Sequence, residues 1–219
     1  MTSAVAAVVV DNGEPTLERC LVSLRSQSVR PLILVAPGPQ TNMEVASKYA
    51  DRVLPPADGI GRARVQAVLE ADADYIVSCD SDTVYDGRYV EYALQSLQLF
   101  PVVKAGIILP LDSGGGDPLA WAESFFSPLI PYEFALAFRK KVFVDAGLDR
   151  EDYSNPRADI GVHLARRMFF VLNDPRMTCW TRLPTKGAVL FKENYLLSAL
   201  GAMVPVATLG GVIGFSLLS

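Results

Sequence analysis

The stretch 75-YIVSCDSDTVYDG-87 decides the fold prediction, because it joins a buried strand to two closely spaced acids and a turn. Residues 75–79 are mostly apolar on both faces, as in a strand buried within a parallel sheet. Asp80 and Asp82 then fall at the carboxyl end of this strand, where open α/β sheets bind their ligands. Three hypotheses follow for this pair: a divalent metal site for a phosphorylated substrate, an aspartyl nucleophile, or a solvated turn.

Apolar strands and amphipathic helices alternate on both sides of this stretch. Strands are predicted at residues 4–10, 32–36, 52–54, 75–80 and 103–109, with helices beginning near residues 17, 43, 59 and 88. This alternation predicts a mostly parallel sheet covered by helices. After Pro110 the pattern predicts strands at 134–138, 169–172 and 177–182, the last two near the sheet edge, and helices at 140–146 and 158–168.

The composition limits the class of protein. A chain of 219 residues suits one good-sized domain, and a net charge of −4 argues against a nucleic-acid partner. The three cysteines lack zinc-site spacing, so we expect reduced thiols in a cytoplasmic protein. The single histidine, His163, excludes a metal site built from several histidines.

The final segment of the sequence carries no charge. Residues 195–218 are long enough to span a bilayer as a helix, and membrane helices tolerate the glycines found there. Arg182, Lys186 and Lys192 precede the segment and no basic residue follows it, which predicts that the preceding domain faces the cytoplasm. The alternative is a C-terminal helix folded against a partner or against the domain itself.

Four segments in order carry a family resemblance. They are LERCLVSLRSQS (17–28), GIGRARVQAVLEADADYIVSCDSDT (59–83), FRKKVFVDAGLD (138–149) and ADIGVHLARR (158–167). Together they resemble the family 2 glycosyltransferases of the GT-A fold, with some likeness to the dolichol-phosphate mannose synthase branch. The resemblance implies a Rossmann-like α/β fold with a mixed, mostly parallel sheet. We expect a catalytic domain at 1–192 and a membrane-anchoring hydrophobic helix at 193–219.

The resemblance also implies a reaction. We expect an inverting, metal-dependent enzyme that moves a sugar from a GDP- or UDP-linked donor to a hydroxyl or phosphate acceptor. The acceptor is expected to be a glycan or a lipid-linked molecule at the membrane. Asp82, with Asp80, is expected to hold Mn²⁺ or Mg²⁺, because hard cations prefer carboxylate and phosphate oxygens. Asp159 aligns with the general base.

Further residues are candidates on each side of the reaction. Candidates for binding the donor nucleotide are Asp11, Asp58, Arg62, Arg64 and Asp80, and weaker candidates on the acceptor side are His163 and Arg166. Structural alternatives stay open for these residues. Asp11 also suits a turn, arginines at a helix start are usually solvated, and Asp159 also suits a helix N-terminus.

The sequence departs from the family pattern at two points. The second strand ends in Ala36-Pro37, where the family usually has an aspartate that recognises the base, so Asp58 is the substitute candidate. The family's Glu-Asp pair is Ala158-Asp159 here, so one acid of the pair is missing.

Three other functions compete with the glycosyltransferase hypothesis. The DSDTV segment also fits haloacid-dehalogenase-type phosphatases, with Asp80 as nucleophile and Asp82 as acid/base, although that family carries the motif on its first strand. A sugar-phosphate nucleotidyltransferase would need a basic, glycine-rich loop after the first strand, and this sequence has the acidic stretch DNGE there. A catalytically degenerate nucleotide-sugar-binding module is the third alternative.

Overall fold

The computed structural model describes residues 5–111, 133–150 and 171–182, and the structural statements below concern these ranges. The strands are β1 Val5–Asp11, β2 Leu32–Pro37, β3 Arg52–Val53, β4 Tyr75–Asp80, β5 Thr83–Tyr85, β6 Val102–Pro110, β7 Leu136–Arg139 and β8 Val171–Thr181. The helices are α1 Leu17–Arg25, α2 Met43–Tyr49, α3 Ile60–Glu70, α4 Tyr89–Leu97 and α5 Lys140–Asp145, with short 3₁₀ turns at Glu133–Ala135 and Leu148–Arg150.

The strands form one mixed sheet in the order β3-β2-β1-β4-β7-β6-β8-β5. The pairs β3–β2, β2–β1 and β1–β4 are parallel, and so is β6–β8. Strand β7 lies antiparallel between β4 and β6, and β5 is antiparallel to β8. The predicted mixed, mostly parallel α/β sheet is therefore confirmed, and the carboxyl ends of β1, β4, β6 and β8 share one edge.

The central strands are apolar on both faces because helices cover both sides of the sheet. All seven residues of β1 are buried. One apolar cluster contains Leu21 of α1 and Tyr89 of α4, and the other contains Val68 of α3 and Phe143 of α5. In α1 the buried residues are Leu17, Cys20, Leu21 and Leu24, the spacing of one helix face.

The predicted place of 169–172 and 177–182 near the sheet edge is confirmed, but the prediction of two separate strands was wrong. Val171–Thr181 form the single strand β8, which lies between β6 and the edge strand β5. The register between β6 and β8 shifts around Gly106, so β8 continues across Pro175. A Cβ atom at Gly106 would lie 2.8 Å from the Asp174 backbone, so this close approach requires glycine.

Two predicted segments lie outside the described residues. They are the helix at 158–168 and the C-terminal hydrophobic helix at 193–219. In the three described ranges, no helix is long and apolar enough to cross a bilayer.

Lys104 is a lysine buried in the interior of the sheet. It lies in β6 between Leu136 of β7 and Asn173 of β8, and only 2% of it is exposed. Burial disfavours the charged ammonium and lowers the pKa of Lys104 from 10.5 to about 7. Lys104 therefore releases its proton at a much lower pH in the folded protein than in the unfolded chain.

This difference predicts a pH-dependent stability. Between the folded and unfolded pKa values the unfolded state binds more protons, so the free energy of unfolding rises with pH there. From about pH 7 to about pH 8.5, we expect this free energy to rise by roughly 1–2 kcal/mol more in the wild type than in Lys104→Met. Urea denaturation at both pH values measures the difference. Equal pH slopes in the two proteins would show that Lys104 does not titrate in this window.

Candidate functional site

The acids singled out by the sequence meet at the carboxyl edge of the sheet. Asp11 ends β1 and Asp80 ends β4, and these two strands are parallel neighbours with Val10 paired to Asp80. The backbone N–H of Ser81 donates to the carbonyl of Val10 at 3.1 Å, so the β4–β5 turn stays attached to β1. Asp82 follows in this turn, directly before β5.

Asp80 is held by a buried arginine. Arg64 is fully buried, and its guanidinium forms an ion pair with Asp80 Oδ1. Nη1 of Arg64 also donates to Ser78 Oγ at 2.8 Å and to the carbonyl of Cys79 at 3.1 Å. Because residues of β4 accept these hydrogen bonds, Arg64 orients the Asp80 carboxylate and does not face solvent. The Asp80 side chain itself is 31% exposed.

Asp82 belongs to a small polar cluster between two strands. Its Oδ1 lies 3.0 Å from Thr83 Oγ1, which in turn lies 2.9 Å from Thr181 Oγ1 at the end of β8. Burial, with a further contribution from the charge of Asp80, raises the pKa of Asp82 from 3.8 to about 6. The ionised carboxylate is thus costly here, and a nearby cation would relieve that cost.

Asp11 organises the β1–α1 turn. Only 4% of it is exposed, and its two carboxylate oxygens accept the backbone N–H groups of Gly13, at 3.0 Å, and Glu14, at 3.1 Å. This is the turn role that the sequence left open. A contact between the Asp11 side chain and a nucleotide stays a prediction.

The remaining predicted site residues divide into two groups. Asp58 and Arg62 are exposed at the start of α3, which follows β3 and so begins at the carboxyl edge of the sheet. Asp159, His163 and Arg166 lie outside the described residues, and their roles stay predictions.

The structure adds residues at this edge that the sequence analysis did not assign to the site. Arg182 follows β8; its backbone N–H donates to the carbonyl of Asp82 at 3.2 Å, and its Nη1 lies 3.2 Å from Glu14 Oε2. Thr181 contacts the Asp82 cluster from the same strand. No local pattern reveals these contacts, because they depend on pairing between β5 and β8.

The basic cluster at Arg139-Lys140-Lys141 lies at the opposite end of the sheet. Arg139 Nη2 donates to the carbonyl of Leu97 at 2.7 Å, and Lys140 Nζ donates to the carbonyl of Ala71 at 2.7 Å. Both cations bind the carboxyl ends of helices, which stabilises the helix dipoles. A groove of about 620 Å³ lies beside them. These two side chains are already bonded to helix carbonyls, so they do not define an anion site.

The metal hypothesis can be tested against the side chains present. Within residues 5–111, 133–150 and 171–182, no three His, Cys, Asp or Glu side chains are grouped to hold a metal by themselves. Asp80 and Asp82 supply two carboxylates, and the pKa of Asp82 is raised by burial and by the charge of Asp80, so a bound cation would stabilise its ionised form. This donor set fits a Mg²⁺- or Mn²⁺-type ion that takes its other ligands from phosphate oxygens and water.

The fold and this edge define an α/β protein with paired carboxylates at the ligand-binding ends of its parallel strands. Comparison with family models gives the family: the model of glycosyl transferase family 2 matches residues 6–147, so the chain belongs to that family. The prediction of a family 2 glycosyltransferase is therefore confirmed, and the phosphatase alternative loses its support. The likeness to the dolichol-phosphate mannose synthase branch stays a prediction.

Solved structures share the fold at low sequence identity. S. aureus TarS, residues 1–349, is 15% identical with a TM-score of 0.59, over 81% of this chain and 60% of that chain. A second TarS structure, residues 1–349 in complex with UDP-GlcNAc, is 15% identical with a TM-score of 0.61, over 86% of this chain and 60% of that chain. The mannosyltransferase PcManGT from Pyrobaculum calidifontis, in complex with GDP-Man and Mn²⁺, is 15% identical with a TM-score of 0.65, over 94% and 65%.

The chain thus spans less than two thirds of the length of these proteins. A search of curated proteins found no significant match.

Proposed function

We propose that this protein is an inverting, metal-dependent glycosyltransferase that uses a GDP- or UDP-linked sugar donor. The observation that carries the proposal is the pair Asp80 and Asp82 at the carboxyl end of β4, beside the β1–α1 turn. Family membership supports the reaction class. The structural relatives solved with UDP-GlcNAc and with GDP-Man and Mn²⁺ support the donor class and a divalent ion.

Asp82 and Asp80 are the residues that would hold the ion. A bound Mn²⁺ or Mg²⁺ supplies positive charge that stabilises the departing diphosphate. Arg64 keeps Asp80 in place for this task, because its guanidinium is anchored to Ser78 and to the Cys79 carbonyl. Thr83 keeps Asp82 in place through its hydroxyl.

Recognition of the nucleotide base needs a different residue from the usual one. The second strand ends in Ala36 and Pro37, so neither of its last two residues is an acid. Asp58 and Arg62 are exposed at the start of α3 and are the candidates that remain. Asp11 contributes by shaping the β1–α1 turn around the donor.

The assignment of residues to the acceptor side of the reaction rests on the sequence. Asp159 would deprotonate the acceptor hydroxyl while the anomeric carbon is attacked from the face opposite the diphosphate, which inverts its configuration. His163 and Arg166 would contribute to the acceptor pocket. A lipid-linked acceptor follows from the predicted anchor at 193–219, which would hold a cytoplasmic catalytic domain near the bilayer surface.

A panel of GDP- and UDP-linked sugars tests the donor proposal. We expect at least one donor to bind in the presence of Mn²⁺ and to be slowly hydrolysed, with both effects lost in EDTA. Binding without any turnover would favour the degenerate binding module. Phosphate release from a generic aryl phosphate without turnover of any nucleotide sugar would favour a phosphatase.

Deleting residues 195–219 tests the membrane proposal. We expect the shortened chain to fold and to hydrolyse donor at a rate within about two-fold of the full chain, but to leave the membrane fraction. The physical reason is that a long uncharged segment partitions into the bilayer. Sedimentation with membranes and donor hydrolysis are measured on both proteins. Unfolding of the shortened chain, or a full chain that stays in solution without detergent, would contradict the anchor.

A further inference from the structure

Arg182 bridges two separate parts of the carboxyl edge. Its backbone is attached to the acidic motif, because its N–H donates to the carbonyl of Asp82 at 3.2 Å. Its side chain reaches the β1–α1 turn, where Nη1 lies 3.2 Å from Glu14 Oε2. The guanidinium therefore lies at the mouth of the candidate donor site, between the end of β8 and the turn after β1.

The ion pair between Arg182 and Glu14 can exchange partners. The two side chains are 56% and 42% exposed, and ion pairs this open contribute little to stability. Glu14 is itself fixed by the turn, since its backbone N–H donates to Asp11 Oδ1 at 3.1 Å. A stronger anion that enters this mouth would compete with Glu14 for the guanidinium.

The other arginine considered for this edge has a different role. Arg64 is fully buried and already bound to Asp80, Ser78 and the Cys79 carbonyl, so it cannot turn towards a ligand without breaking β4 contacts. Arg182 is exposed and held only by Glu14 among the contacts described for its side chain. Guanidinium groups bind phosphate oxygens through two parallel hydrogen bonds. The weak surface ion pair with Glu14 would not prevent such binding.

We propose that Arg182 binds the diphosphate of the nucleotide donor by leaving Glu14, which competes with the diphosphate for the guanidinium. This inference rests on the proposed function, because it assumes a nucleoside diphosphate group at Asp80 and Asp82. It assigns Arg182 a binding role that neither the sequence motifs nor family membership assign to it.

The proposal predicts different effects on two ligands. Without Arg182 the diphosphate loses charge-assisted hydrogen bonds, and we expect UDP or GDP affinity in Mn²⁺ to fall about 10- to 100-fold. Mn²⁺ alone should bind as tightly as in the wild type, because the described side-chain contact of Arg182 is with Glu14, whereas the ion is assigned to Asp80 and Asp82. A purely structural role for Arg182 would weaken both ligands together.

The test uses the full chain and isothermal titration calorimetry with UDP, GDP and Mn²⁺. The variants are Arg182→Gln, Arg182→Lys and Glu14→Gln. Arg88→Gln is the matched control, since Arg88 is also 56% exposed and is paired with Glu91 on α4. We expect Arg182→Lys to retain part of the diphosphate affinity, Glu14→Gln to raise that affinity about two- to five-fold by freeing Arg182, and Arg88→Gln to leave it unchanged.

The possible outcomes separate the two proposals. If the wild type binds neither UDP nor GDP in Mn²⁺, the proposed function fails and the role of Arg182 fails with it. If the wild type binds and Arg182→Gln binds equally tightly, the role of Arg182 alone is overturned. A matching loss of Mn²⁺ and diphosphate binding in Arg182→Gln also overturns it, in favour of a structural role.

Discussion

Asp82→Asn is expected to weaken Mn²⁺-dependent binding of the nucleotide-sugar donor by at least about 100-fold, because it replaces an anionic metal ligand with a neutral amide. The substitution preserves the shape of the side chain, so Thr83 and Thr181 can stay in place. Calorimetric titration of donor in the presence and absence of Mn²⁺ measures the effect. Donor binding that keeps its full Mn²⁺ dependence in Asp82→Asn would remove Asp82 from the metal site.

The same variant provides its own control for folding. The pKa of Asp82 is raised from 3.8 to about 6, so between these values the folded protein holds a proton that the unfolded chain has released. The free energy of unfolding therefore falls as pH rises through that window. At pH 7 the full destabilisation by the ionised Asp82 is present. In EDTA at this pH, we expect Asp82→Asn to melt a few degrees above the wild type. Loss of donor binding together with a higher melting temperature excludes misfolding as the cause.

Asp159→Asn is expected to leave donor affinity within about two-fold of the wild type and to lower the transfer rate about 10²- to 10⁴-fold, the range for loss of a general base. The reason is that Asp159 is assigned to the acceptor hydroxyl, whereas Asp82 is assigned to the diphosphate side. Donor binding by calorimetry and sugar transfer to an acceptor are measured on the same preparation. Asp152→Asn, an aspartate earlier in the same region of the sequence and outside the ADIGVHLARR segment, is the matched control and should retain transfer.

The comparison between the two aspartates decides the assignment. If Asp159→Asn loses donor affinity to the same extent as Asp82→Asn, both acids act on the donor and the general base must be sought elsewhere. Unchanged transfer in Asp159→Asn would instead favour the alternative that this residue only stabilises a helix N-terminus.

The first half of the fold was predictable because its signals are local. The predicted strands at 4–10, 32–36 and 75–80 agree with β1, β2 and β4 within one residue at each end. Continuous apolar runs that end in turn residues define such buried parallel strands without knowledge of their neighbours. The position of Asp80 at a strand end followed directly from this pattern.

The pairing of β5 with β8 was not predictable in the same way. β5 has only three residues, and its partner lies almost a hundred residues later in the chain. Short antiparallel pairs of this kind depend on where the larger strands place the two segments. The sequence therefore predicted the place of β8 near the sheet edge but did not connect Thr181 or Arg182 with Asp82.

For Arg64, the sequence predicted the position in the chain but not the burial of the side chain. Its place in the first turns of α3, beside the acidic motif, was apparent from the GIGRARV segment, but a helix arginine is normally expected in solvent. Its complete burial depends on Ser78, the Cys79 carbonyl and Asp80 accepting its hydrogen bonds. These partners become neighbours only when α3 packs on the sheet and the Arg64 side chain reaches β4.

The identity and spacing of Asp80 and Asp82 are local properties of the chain, and so is their position after a buried strand. Side-chain periodicity over a few residues suffices for them, because it reports which faces are buried. The proton affinity of Asp82, the anchoring of Asp80 and the position of Arg182 beside Glu14 depend on contacts between distant segments. Strand order and register bring those segments together, so only the folded structure decides which charges face each other at this edge.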